Sequence, residues 1–119
     1  MKIKCLIIDD EPLAINVIKN YLEQIEDLEL VNTFSNSIEG LNFLKNNTID
    51  VIFLDINMPI WDGWDFLDEI VKLELQHTFE IYMVSSSTSP HDKEKAESYR
   101  FVKGFLTKPL EISDLNTIL

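Results

Sequence analysis

The chain has 119 residues, enough for one domain but not for a second core of roughly 100 more. Nearly half of its side chains are apolar, which excludes a disordered chain, and 21 acidic against 10 basic residues leave a net charge of −11, which opposes the phosphate contacts of nucleic-acid binding. Cys5 is the single cysteine, so a disulfide framework and a multi-cysteine metal site are excluded. The apolar stretch nearest the start, Cys5 to Ile8, falls far short of a signal-peptide core or the ~20 residues of a membrane span. A soluble, cytoplasmic domain is expected, with no direct nucleic-acid binding and no membrane contact.

In chain order, Lys4-Cys5-Leu6-Ile7-Ile8 is a short apolar run ending abruptly in aspartate, and Val51-Ile52-Phe53-Leu54 is another. Continuous runs of this length suit strands buried on both faces of a parallel sheet. Between them, Ala14, Val17, Ile18, Tyr21, Leu22 and Ile25 recur at helical spacing behind Pro12, which a first helical turn tolerates. A strand over Leu28–Phe34 and a helix marked by Ile38, Leu41 and Leu44 follow. Leu67, Ile70 and Val71 mark a third helix, Glu80–Ser85 a fourth strand, Gly104–Thr107 a fifth, and Ile112, Leu115 and Ile118 a last helix. The apolar stripes of these helices are expected to face the sheet. The segment His91 to Arg100 starts well at Ser89-Pro90, but Ala96 and Tyr99 are nearly its only apolar side chains, so a loosely anchored helix is expected there. Alternation of strand and helix throughout predicts a doubly wound α/β domain with right-handed crossovers.

In such a sheet, ligands bind beyond the carboxyl ends of the strands. Asp9, Asp10 and Glu11 follow the first strand, Asp55 and Asn57 the third, Ser85 the fourth and Lys108 the fifth. Clustered aspartates raise one another's pKa unless a cation shares them, and Mg²⁺ takes one or two carboxylates with phosphate oxygens and water. Asp10 and Asp55 are candidates for those carboxylates, and Asp55 for a nucleophile that becomes an aspartyl phosphate. Lys108 would direct a point charge, and the Ser85 hydroxyl a hydrogen bond, at the phosphoryl oxygens. A cis bond between Lys108 and Pro109 would turn the lysine back toward the site.

Simpler readings stand beside these. Aspartates after strands often cap helices, and serines such as Ser85 mark loops. Phe105 alone reads as a core aromatic, Cys5 as a small buried hydrophobe, and Trp61 and Trp64 as packing around Asp62-Gly63. His77 and His91 lack partners at metal-binding spacing and read as surface residues.

Taken together and in order, Ile7-Ile8-Asp9-Asp10-Glu11-Pro12, Phe53-Leu54-Asp55-Ile56-Asn57-Met58-Pro59 with Asp62-Gly63, Met83-Val84-Ser85-Ser86 and Gly104-Phe105-Leu106-Thr107-Lys108-Pro109 resemble the response-regulator receiver family of two-component signalling. The resemblance covers essentially the whole chain. It implies a flavodoxin-like five-stranded parallel sheet of order 2-1-3-4-5 flanked by five helices. It also implies Mg²⁺-dependent phosphoryl transfer to Asp55 from a histidine kinase or phosphotransfer protein, with self-catalysed dephosphorylation rather than turnover of an external substrate. Asp10, Asp55 and the Asn57 backbone carbonyl are implied metal ligands, with Asp9 acting through water. Ser85 and Lys108 match the switch hydroxyl and the phosphate-binding lysine, and Phe105 the switch aromatic.

Output is implied through the face of the fourth helix, fifth strand and fifth helix, toward an output domain, a downstream protein or a second copy. The opening through Ala14 is similar to regulators that carry a LytTR-type DNA-binding domain, so the chain is either a stand-alone receiver or a piece of a longer regulator. Arg100-Phe101-Val102-Lys103-Gly104 replaces the small pair that usually precedes the fifth strand. Two other functions remain open: a Mg²⁺-dependent aspartyl-phosphate hydrolase, which normally has an aspartate where Asn57 stands, and a non-phosphorylated interaction module.

Overall fold

The computed structural model describes residues 2–75, 78–86 and 89–118, with only the backbone of Ile118; His77, Ser87 and Thr88 lie outside the described residues. Strands and helices alternate as β1 (Ile3–Ile8), α1 (Pro12–Glu23), β2 (Leu28–Phe34), α2 (Ser37–Asn46), β3 (Val51–Asp55), α3 (Gly63–Leu73), β4 (Glu80–Ser85), α4 (Pro90–Glu97), β5 (Val102–Thr107) and α5 (Ile112–Ile118). All strand pairs are parallel and the order is β2-β1-β3-β4-β5. The flavodoxin-like architecture expected from the sequence is the one observed.

Side chains of a strand alternate between its faces, and both faces of this sheet are covered. Leu6, Ile8, Ile52, Leu54, Ile81 and Met83 form one core with Leu41, Leu44, Phe66, Leu67 and Ile70 of α2 and α3. Cys5, Ile7, Val51, Phe53, Tyr82 and Val84 form the other with Ile18, Leu22 and Leu115 of α1 and α5. That double burial is why β1 and β3 are written as unbroken apolar runs. Every residue of β3 is buried, Asp55 included.

Local chemistry sets the helix starts. Pro12 occupies the first turn of α1, where its missing N–H costs nothing. The Asn36 side chain accepts a hydrogen bond from Glu39 N at the head of α2. Asp62 and Asp65 form a reciprocal capping box at the head of α3, with N···O distances of 2.9 and 3.1 Å.

Three details depart from the expected pattern. Val17, Ile38 and Val71 are exposed, at 37%, 38% and 55%, because each sits at the margin of an apolar stripe whose centre already fills the available sheet surface. β5 begins at Val102, two residues before the expected Gly104, because pairing with β4 extends through a register shift between Ile81 and Tyr82. α4 ends at Glu97, leaving Tyr99 in the turn before β5, and Ala96 is its buried residue, in keeping with the sparse anchoring expected of it.

Candidate functional site

Asp9 lies one residue past β1, Asp55 is the last residue of β3, Ser85 the last of β4, and Lys108 follows β5. The parallel register therefore delivers them to one end of the sheet. The Lys108 N–H donates to the Ser85 carbonyl oxygen at 2.8 Å and Asp9 N–H to the Phe34 carbonyl oxygen at 3.0 Å, which ties neighbouring strand ends together. The Lys108–Pro109 peptide bond is cis.

The lysine ammonium enters a pocket of acids. Lys108 Nζ lies 2.7 Å from Glu11 Oε1, 3.0 Å from Asp9 Oδ2 and 3.5 Å from Asp55 Oδ1. It donates hydrogen bonds to Glu11 and Asp55, whereas its approach to Asp9 is an ion pair without hydrogen-bond alignment. Asp9 Oδ1 accepts from the Glu11 N–H at 2.9 Å, while the buried Oδ2 has no hydrogen-bond donor. A buried carboxylate oxygen without a donor is costly unless a cation serves it.

These charges shift one another. The Asp55 carboxyl is pushed up to about 7, first by burial, then by the charge of Asp9 and with a contribution from Asp10, while Lys108 pulls the other way. Burial alone would lower the pKa of the Lys108 ammonium, but its close contacts with Glu11 and Asp9 and the charge of Asp55 hold it well above its ordinary value. Without further positive charge, the pocket carries more acid than one lysine neutralises. Carboxylate oxygens of Asp9, Glu11 and Asp55 all lie within 4.8 Å of one another, and such an all-oxygen donor set fits a hard divalent cation.

The sequence-predicted residues fall around this centre to different degrees. Asp9, Asp55 and Lys108 meet directly, and Asp10 is half-buried and close enough to raise the Asp55 carboxyl. Ser85 is fully buried at the neighbouring strand end, and Asn57 is exposed on the loop after β3. Phe105 pairs in register with Met83 and packs, half-buried, on the core. Trp61 and Trp64 pack on the core margin, as expected, and His91 is exposed. Cys5 is fully buried and its thiol is pushed up to about 12, chiefly by that burial. Glu11, given no role by sequence reasoning beyond its place after β1, is the shortest contact of Lys108; its position in the Asp9-Asp10-Glu11 triplet was the available signal.

The loop from β3 to α3 is folded back onto the end of β3. Gly63 N–H donates to the Ile56 carbonyl oxygen at 2.7 Å, and Ser37 Oγ donates to the Trp61 carbonyl oxygen at 3.2 Å. Ile60, on the outside of that loop, is 85% exposed with φ of 71°.

Comparison with known proteins agrees with this geometry. Residues 5–119 match the family described as the response regulator receiver domain. A protein-glutamate methylesterase/protein-glutamine glutaminase of Methanococcoides burtonii is 32% identical over 117 residues, covering 98% of this chain and 32% of that protein. Transcriptional regulatory protein BtsR of Escherichia coli K12 is 40% identical over 75 residues, covering 63% of this chain and 30% of that protein. The chain thus spans about a third of the length of these curated relatives. Among solved structures, a two component response regulator from Cytophaga hutchinsonii superposes with a TM-score of 0.87 at 27% identity, covering 99% of this chain and 95% of that one. The chain belongs to the response regulator receiver domain family, the generally non-enzymatic phospho-receivers of two-component signalling.

Proposed function

We propose that Asp55 is the phosphoryl acceptor and that the acids around it hold Mg²⁺. The observation that carries this reading is the convergence of Lys108 on Asp55 and Asp9, one ammonium among buried carboxylates at the carboxyl end of the sheet. A carboxylate oxygen of Asp55 attacks the phosphorus of a phosphohistidine on a kinase or phosphotransfer protein. The new O–P bond replaces the P–N bond, and the departing imidazole takes up a proton.

Asp9, Asp10, Asp55 and the Asn57 backbone carbonyl are the groups that would hold the metal. Bound there, Mg²⁺ supplies positive charge that keeps the carboxylates ionised and neutralises the incoming phosphoryl oxygens. Lys108 then exchanges its contact with free carboxylate for one with a phosphoryl oxygen, and the Ser85 hydroxyl donates to another. Phe105, on the strand between Ser85 and the outer face, reports that change toward α4, β5 and α5. Through this face the domain engages an output domain, a downstream protein or a second copy. It does so in the cytoplasm, without binding nucleic acid itself; among the described residues no helix is long and apolar enough to cross a membrane.

Intact mass after incubation with acetyl phosphate tests this. One phosphoryl group, about 80 Da, is expected with Mg²⁺ and not with EDTA, and none on Asp55→Asn. Uptake by Asp55→Asn at the native rate would overturn the assignment. No uptake by the native chain would favour an interaction module, and sustained release of phosphate from a phosphomonoester would favour a hydrolase.

A further inference from the structure

Helix α4 has almost nothing of its own to hold it. Ala96 is its buried side chain, Ser89 provides no side-chain cap, and apart from Pro90 the remaining residues of Pro90–Glu97 are polar or charged. A helix this short and polar does not persist on intrinsic propensity, so its position depends on contacts made by few residues.

α4 lies against β5, and side chains of α3 reach across to its C-terminal end. Trp64 and Asp68 stand one helical turn apart on α3, and both reach Tyr99, two residues beyond the end of α4. The Trp64 and Tyr99 rings stack with centroids 6.2 Å apart and an interplanar angle of 21°. The Tyr99 hydroxyl donates to Asp68 Oδ1 at 2.7 Å, a short charge-assisted bond. From within α4, Lys95 places its ammonium 4.6 Å from the centre of the Trp64 ring. Tyr99 is itself tied on both sides, its N–H to the Ala96 carbonyl oxygen at 3.2 Å and its carbonyl oxygen to Val102 N–H at 3.1 Å.

The other end of this assembly is fixed to the acceptor strand. Gly63, adjacent to Trp64, packs so closely on the end of β3 that an added Cβ would lie 2.7 Å from the Asp55 carbonyl oxygen. Trp64 cannot therefore shift far without disturbing the backbone of Asp55, and the reverse holds equally.

We propose that Trp64, Asp68, Lys95 and Tyr99 form a clasp that sets the position of α4, and that Gly63 joins this clasp mechanically to the end of the acceptor strand. The holding role is independent of phosphorylation. The joining role rests on Asp55 as acceptor.

Hydrogen exchange followed by mass spectrometry tests both on the full chain. Peptides spanning residues 90–99 should exchange at least about tenfold faster in Trp64→Leu and Tyr99→Leu, with peptides of β1 and β3 unchanged. Tyr99→Phe and Lys95→Met, which keep the packing and remove one polar contact each, should give smaller increases. Unchanged exchange over 90–99 in all four variants would overturn the clasp, and so would loss of protection throughout the sheet in the two conservative variants.

After acetyl phosphate and Mg²⁺, native protein with one added phosphoryl group should show altered exchange over 90–99, and Trp64→Leu carrying the same group should show less than half of that alteration. No mass shift in native protein would refute Asp55 as acceptor and leave the holding role standing. A mass shift with equal alteration in both proteins would refute the joining role alone.

Discussion

The ammonium of Lys108 lies 3.5 Å from Oδ1 of Asp55, although 53 residues separate them and no residue between contributes a cation to the same cluster among the described contacts. The resting site is thus a lysine clamped by acids, and its properties follow from the balance of those charges.

Asp55 should cost the metal-free fold stability as pH rises. Its carboxyl is pushed from 3.8 up to about 7, by burial first and then by Asp9. Between those values the folded chain holds a proton that the unfolded chain has released, so the contribution is full below about pH 4 and lost as pH climbs through 7. Asp55→Asn should be more stable than native protein at pH 7.5 without Mg²⁺, by at most about 4 kcal/mol, and the gap should close near pH 4. Urea denaturation at the two pH values measures it; parallel pH profiles would contradict the expectation.

A divalent cation held as proposed would compete with Lys108 for the same oxygens. Its pKa is raised by Glu11 and Asp9 despite burial, so the ammonium remains charged across the working pH range and must be displaced or moved. Lys108→Met should bind Mg²⁺ roughly tenfold more tightly, followed by tryptophan fluorescence or calorimetry. Equal or weaker binding would show that the lysine does not occupy the cation's place.

Gly63→Ala should damage the C-terminal end of β3. The added methyl would lie 2.7 Å from the Asp55 carbonyl oxygen and 3.0 Å from Ile56 Cα, both backbone atoms that cannot swing aside. A loss of about 2 kcal/mol or more in chemical denaturation is expected. Gly40→Ala meets the Ile8 Cδ1 terminus at 2.6 Å, a side-chain end with rotamer freedom, and should cost less.

Ile60→Asn should stabilise the domain. A β-branched residue at φ of 71° is strained, and at 85% exposure Ile60 gains little packing in return. Asparagine tolerates that conformation, so a gain of about 1 kcal/mol is expected from urea denaturation; no gain would mean that the loop relaxes at no cost.

Much of this was legible in the residues. β1 and β3 are covered on both faces, so their apolar runs carry no polar alternation to confuse the reading, and each run ends at a buried aspartate. The strand order, by contrast, came from family resemblance, since apolar runs do not state their neighbours. The start of β5 was hidden because Arg100 stands just ahead of it and the exposed Lys103 breaks its apolar run, in an edge strand whose other residues are half-buried. Ile38 and Val71 were misplaced because helical spacing gives the centre of a stripe better than its margins. Glu11 and the Trp64–Tyr99 stack escaped for another reason: both depend on side chains meeting across elements, which local pattern does not encode.

β5 is the last strand and lies at the edge of the sheet, and it carries the site's lysine just beyond its end. During synthesis from the N-terminus, Asp9, Glu11 and Asp55 are therefore made well before the residue that neutralises them. Until Lys108 is made, no other cation among the described contacts pairs with these acids, so docking of the final strand both completes the sheet and discharges its acidic end.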